Sequence, residues 1–294
     1  MNFAIPVRPL ARRPAVLEGT ADPNASLYPG KPFSLLLPLL TRSVSLLTLL
    51  LQDGAVDVEL ASAAIALDPG LAFGTLQLAN RDRAEGDDPI WQLPLAVVAA
   101  GREALLQLLQ RAPRIECSGN AAKQTRLCRL VTNAVARAAA AHLLARELGN
   151  SMPRKSYLSG LLFELPAIVR LAAPAISQAA LLSTMCHTLP AAMVRAAMAR
   201  MADDEQEPPG DPLLGIVLIA DAVLAAEAEP ASLTAALEEL ADSPLWHCWP
   251  ATGAGQRNFL LGRCCEMANW AKANLHGLDP WEFMARLERR NPWE

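Results

Sequence analysis

Residues 58–80 read VELASAAIALDPGLAFGTLQLAN, from Val58 to Asn80, and hold two helix starts back to back. Asp57 stands just before them, three residues ahead of Leu60, where its carboxylate can accept an unsatisfied backbone N–H. Glu59 lies near the positive end of the same helix. Val58, Ala61, Ile65 and Leu67 then fall on one apolar face. Asp68-Pro69 repeats the start signal: a capping carboxylate precedes a proline whose fixed φ and missing N–H suit the first helical position. The helix opened there carries Leu71, Leu76 and Leu78 and runs towards Asn80.

The same signals recur outward from this stretch. Upstream, Phe33 to Leu51 (FSLLLPLLTRSVSLLTLLL) is apolar enough to suggest a membrane span. Arg42 at its centre would cost about 2.5–3.5 kcal/mol there, and Pro38 breaks its first half. A buried helix behind a short extended entry is the expectation. Residues 1–30 hold five prolines and read as an extended or disordered leader. Downstream, Leu93–Leu109, Ala122–Leu148 (ended by Gly149), Lys155–Val169, Ser177–Met201 (interrupted at Pro190) and Leu213–Glu229 read as helices. In the tail, Ser232 caps a helix to Ala241, residues 242–258 are irregular, and Phe259–Asn274 is helical. Asp279-Pro280-Trp281-Glu282 opens a last helix. No run of alternating β-branched residues appears, so no sheet is expected.

Composition narrows the function classes. The chain has 294 residues, 52% hydrophobic and 19% charged, with a formal net charge of −4. That is globular composition, and mild acidity argues against binding nucleic acid or an anionic membrane. Six cysteines occur without a Cys-x-x-Cys pair, so neither a zinc ribbon nor a redox motif is expected. With no secretory signal visible, the thiols read as reduced and the protein as cytoplasmic.

Several segments together resemble HDOD domains, the HD-related output domains of bacterial signalling proteins. There, an Asp-Pro-x-Leu turn opens a helix ending in Leu-x-x-Ala-Asn; here these are Asp68, Pro69, Leu71, Leu76, Ala79 and Asn80. Leu93 to Leu105 looks like the following family helix, with Gly101 at its glycine. Tyr157 to Pro166 (YLSGLLFELP) is similar to the family's G-L-L-H-D-I-G segment. Leu189-Pro190 resembles its Trp-x-Leu-Pro element, with His187 at the Trp position. Ile216 to Ala225 resembles the closing "i-v-x-x-A-d" helix. The resemblance covers residues 33–229 and implies an all-α bundle with an HD-domain-like second half.

The departures carry the functional expectation. In catalytic HD phosphohydrolases an adjacent His-Asp pair, helped by a further His and Asp, binds divalent metal. Metal requires imidazole nitrogen and carboxylate oxygen to converge. The resemblance places Phe163-Glu164 at the pair, Asn133 at the earlier histidine and Arg200-Met201 at a later His-His. No enzyme, metal or cofactor is therefore expected. Glu164 either reaches the solvent edge or pairs with an arginine such as Arg170 or Arg137.

Other chemical candidates are weaker. His142 and His187 have no second histidine or adjacent carboxylate to make a ligand set; His142 reads as a side chain at a helix–helix contact or on the surface, and His187 as one packed at a helix end. His247-Cys248, between Trp246 and Trp249, reads as an aromatic corner and not a nucleophile–base pair, since such pairs form across space. Cys264-Cys265 reads as a buried helix pair. Arg126, Arg129, Asn133 and Arg137 recur at helical spacing and share one face. That row could receive phosphates or an acidic partner, or be a solvated face. Five of the six tryptophans lie in the last 49 residues. They serve either as core anchors or as a partner patch, with Trp281 and Trp293 the candidates for the patch.

The expected organisation is a leader (1–30), an HDOD-like domain (31–229, with halves 31–116 and 117–229) and a Trp-rich helical extension (230–294). The expected function is non-catalytic signal transduction through a signalling protein bound in trans. A nucleotide or cyclic-dinucleotide sensor using the former HD cleft is the alternative, and a residual metal-dependent phosphohydrolase is third.

Overall fold

The carboxylate of Asp68 is fully buried and fixes two pieces of chain at once. One oxygen accepts from Leu71 N at 3.0 Å, capping a helix, and the other accepts from Leu40 N at 2.7 Å. The computed structural model describes residues 35–52, 56–84, 87–115, 122–199, 211–227 and 233–289; the expected leader, Trp293 and Ser232 lie outside them. Buried, extended residues 35–38 lead into strand β1 (Leu39–Leu40), followed by helix α1 (Thr41–Gln52). This is the extended entry and helix expected for the apolar stretch. Arg42 turns outward and donates to the carbonyls of Leu275 and Leu278 at 3.0 and 2.7 Å. Among the described residues, no helix is long and apolar enough to cross a membrane.

Helices α2 (Val58–Ala66) and α3 (Pro69–Asn80) begin where Asp57 and Asp68 predict, and both carboxylates accept the expected N–H. Asn80 ends α3 and is almost fully buried. Its Nδ2 lies within hydrogen-bond reach of the carbonyls of Leu76, Ile90 and Thr188, and its Oδ1 accepts from Ile90 N. It ties α3 to the next loop and to the end of α9 (Gln178–Thr188).

Four expectations are corrected. Strand β2 (Arg114–Ile115) pairs in parallel with β1, Leu39 opposite Arg114 and Leu40 opposite Ile115, so a sheet of two short strands exists where none was expected. Two residues are too few to leave an alternating pattern. The run from Leu93 is split into α4 (Leu93–Ala100) and α5 (Arg102–Arg111) by Gly101, whose φ of 77° lies in the region glycine tolerates. The run from Lys155 is split into α7 (Pro153–Leu162) and α8 (Leu165–Ala172), and the break falls at Phe163-Glu164. Cys186, Cys248, Cys264 and Cys265 are thiols, but Cys128 is disulfide-bonded, so the cysteines do not all read as reduced.

The chain is organised around α6 (Ala122–Glu147). From Ala134 to Ala145 every residue of it is buried, and most are alanines. Small side chains let neighbouring helices approach closely, and a Cβ on Gly160 of α7 would stand 3.0 Å from the Cα of Ala138. Around α6 pack α7, α8, α11 (Pro212–Glu227) and α13 (Ala254–Asn274). Helix α13 starts at Ala254, five residues before the expected Phe259. The remaining helices are α10 (Ala191–Ala199), α12 (Leu233–Ala241) and α14 (Pro280–Leu287), with a 3-10 turn at Pro244–Cys248.

Candidate functional site

The break between α7 and α8 leaves Phe163 and Glu164 facing α6, and there they meet Arg137. All three are almost completely buried. Arg137 Nη2 donates to Glu164 Oε1 at 2.7 Å. Its Nε donates at 2.8 Å to Asp221 Oδ1, which also lies 2.6 Å from Nη2. The guanidinium stands over the Phe163 ring, 4.8 Å from its centre. One cation thus bridges carboxylates from two separate elements, α11 and the α7–α8 break, in the fork geometry that only arginine offers.

This settles one alternative from the sequence: Glu164 pairs with Arg137 and does not reach the solvent edge. Asp221, inside the stretch resembling "i-v-x-x-A-d", is the third member. Nothing in its own sequence marked it as an arginine partner, because the contact spans 84 residues. The row on α6 divides along its length. Arg126 and Arg129 are exposed, Asn133 is half-buried and Arg137 is buried and paired. Helical spacing places the four on one side, but that side runs from solvent into the core. Among the described residues, no three His, Cys, Asp or Glu side chains group as a metal would require.

The tail tryptophans also divide. Trp246 is buried, donates Nε1–H to the Leu240 carbonyl at 3.0 Å and meets Trp249 edge-on. Trp270 packs on Phe283 of α14 with ring centres 4.8 Å apart. These are core anchors. Trp281 is 51% exposed at the start of α14, where Asp279 caps the helix by accepting from Trp281 N at 2.9 Å. His247 is exposed and His187 half-buried, while Cys264 and Cys265 are both buried on α13.

Sequence reading passed over the surroundings of His142. It is 1% exposed on α6, and neither ring nitrogen makes a hydrogen bond of good geometry, although the Pro153 backbone acts on the ring. It lines a cavity of about 360 Å³ between α2, α7 and α14. Burial pushes its pKa below the ordinary histidine value, against the pull of Glu288.

The fold and this buried cluster define an all-α protein built on a central helix that brings one cation to carboxylates from two other elements. The HDOD domain model matches residues 37–199, more than half of the chain, and the chain belongs to the HDOD family. Among solved structures, the MmoQ response regulator from Methylococcus capsulatus str. Bath is similar in fold, with a TM-score of 0.52. It is 17% identical, and the similarity covers 81% of this chain and 96% of that one. No curated protein matches the chain significantly.

Proposed function

We propose that the chain is a non-catalytic signalling or regulatory protein that acts by binding another protein in trans. The observation that carries this reading is Arg137. In the resemblance to HD enzymes, Phe163-Glu164 stands where the metal-binding His-Asp pair would be. Here Phe163 has no donor atom, and Glu164 and Asp221 both face a guanidinium. A divalent ion would have to displace a buried, paired cation, so the residues present do not fit one. The nucleotide-sensor alternative meets the same obstacle, because a phosphate in this cleft must compete with two carboxylates for Arg137. Exposed Trp281, with Trp293 beyond the described residues, and exposed Arg126 and Arg129 are the proposed contact groups. The cytoplasmic compartment expected from the sequence loses its thiol argument, because Cys128 is disulfide-bonded.

Two measurements test this reading. Hydrolysis of bis(p-nitrophenyl) phosphate with Mn²⁺ or Mg²⁺ is expected to stay at the buffer rate; metal-dependent turnover lost in Glu164→Gln would overturn it. Capture from host lysate, with mass spectrometry, is expected to yield one signalling protein near stoichiometry. Trp281→Ala/Trp293→Ala or Arg126→Ala/Arg129→Ala should abolish that capture without unfolding the chain. Capture unchanged by both pairs would sink the proposal.

A further inference from the structure

The cavity beside His142 lies apart from the Arg137 cluster and is built differently. Ala63 and Ala66 of α2, Leu158 of α7, and Met284 and Ala285 of α14 give it apolar walls. Trp91 and Trp281 stand at its edge, the first half-buried and the second 51% exposed. Its volume of about 360 Å³ lies within the range of small-molecule sites and exceeds what one inserted side chain fills. Helix α14 falls outside residues 37–199 matched by the family model, so this cavity joins the HDOD part to the tail.

The polar groups lining it are mostly committed elsewhere. Tyr157 donates its hydroxyl to the Ala66 carbonyl at 3.0 Å, and Ser62 donates to the Val58 carbonyl at 2.6 Å. Arg154 pairs with Glu288 at 3.0 Å. Glu59 and Gln92 are exposed to solvent, which leaves His142 as the buried polar side chain of the lining without a well-formed hydrogen bond. Its Nε2 is 3.8 Å from Glu288 Oε2, beyond hydrogen-bonding distance, and the ring meets Tyr157 edge-on with centres 6.4 Å apart. A buried polar group without a well-formed hydrogen bond is costly, and its burial favours the neutral imidazole. A neutral imidazole offers one donor and one acceptor.

We propose that this cavity is a binding site for a small, uncharged, bicyclic or tricyclic aromatic molecule bearing one hydroxyl or N–H group, which hydrogen-bonds to His142 while its rings lie between α2 and α14. An apolar body satisfies the walls and the indoles at the edge, and a single polar atom answers His142. Arg154 and Glu288 pair with each other, and exposed Glu59 is the third charged side chain of the lining, so the site disfavours an anion, while its apolar walls disfavour burying a charge of either sign. The site is independent of how the Arg137 cluster is read.

The test uses the full chain and two isosteric probes, 2-naphthol and 2-methylnaphthalene, measured by displacement of the fluorophore N-phenyl-1-naphthylamine. Saturable displacement at one site per chain is expected, with 2-naphthol about tenfold tighter, the worth of one buried hydrogen bond. His142→Leu should bring the two probes to equal affinity. Ala285→Trp, which fills the cavity from a half-buried position, should abolish binding of both while the far-ultraviolet circular dichroism is unchanged. Equal affinities in the unmodified chain, non-saturable displacement, or binding indifferent to Ala285→Trp would each overturn the proposal. The probe comparison and the Ala285→Trp arm stand even if His142→Leu fails to fold.

Discussion

Replacing Arg137 with methionine keeps the apolar stem and removes the guanidinium that Nη2 sets against Glu164 at 2.7 Å. The side chains of Arg137 and Glu164 are 3% and 2% exposed, and that of Asp221 is 23% exposed. An exposed ion pair contributes about 0–1 kcal/mol, but breaking a buried one costs about 3–5 kcal/mol because a charge is left stranded. Solvent reaches Asp221, so most of the cost falls on Glu164. Loss of the guanidinium over Phe163 adds to it in the same direction, by about 0.5–2 kcal/mol. Arg137→Met is therefore expected to lose about 3.5–7 kcal/mol, or roughly 7–28 °C in midpoint for a chain of this size. Arg137→Met/Glu164→Leu also removes the buried carboxylate that lost this partner and should recover most of that loss, since apolar replacements of buried pairs are often neutral. Urea unfolding at pH 7, followed by circular dichroism, measures all three proteins. A loss below about 1 kcal/mol for the single variant, or a double variant less stable than the single, would refute the reasoning.

Three further predictions follow from other buried groups. Burial raises the Asp68 pKa from 3.8 to about 6, against the lowering effect of backbone N–H groups from Leu71, Leu40 and Gly70 and the Ser43 hydroxyl. The fold thus holds that proton more tightly than the unfolded chain does. Its contribution, about 3 kcal/mol, is fully present below pH 3.8 and is lost as pH rises through about 6. Asp68→Asn should remove this slope, and a stability difference between the two proteins that stays constant from pH 4 to 7 would contradict it. Asn80→Leu should cost about 2–4 kcal/mol in chemical denaturation by stranding the Ile90 N–H and the Ile90 and Thr188 carbonyls. A cost under about 1 kcal/mol would show that Asn80 does not pin these segments. Gly160→Ala sets a helix-propensity gain of about 1 kcal/mol against a Cβ 3.0 Å from Ala138 Cα. Because the obstacle is backbone that cannot rotate away, the thermal midpoint should fall; a rise would mean α6 and α7 separate freely.

Much of the fold was legible because its signals are local. Asp57, Asp68 and Asp279 each accept the N–H of a residue two or three positions on, so adjacent letters contain both halves of the interaction. The ordered motifs from Asp68 to Ala225 also pointed to the family. The misreadings are of a different kind. The Gly101 split lay inside an apolar run whose periodicity hid it, and the break at Phe163-Glu164 has neither a glycine nor a proline at the break itself. The β1–β2 pairing joins residues 75 apart (Leu39 with Arg114) and has no pattern of its own.

By itself the sequence determined that the chain is all-α and where the helices capped by Asp57, Asp68 and Asp279 begin. Only the tertiary structure decided what Glu164 does. Its partner Arg137 lies 27 residues away and the cluster's third member 84 residues from Arg137, and the packing of the Ala-rich α6 brings them together. The same holds for His142, whose surroundings come from α2, α7, α14 and the loop bearing Trp91. Capping is an interaction between neighbours in the chain. Charge pairing in a core and the shape of a cavity belong to residues that become neighbours only when the chain folds.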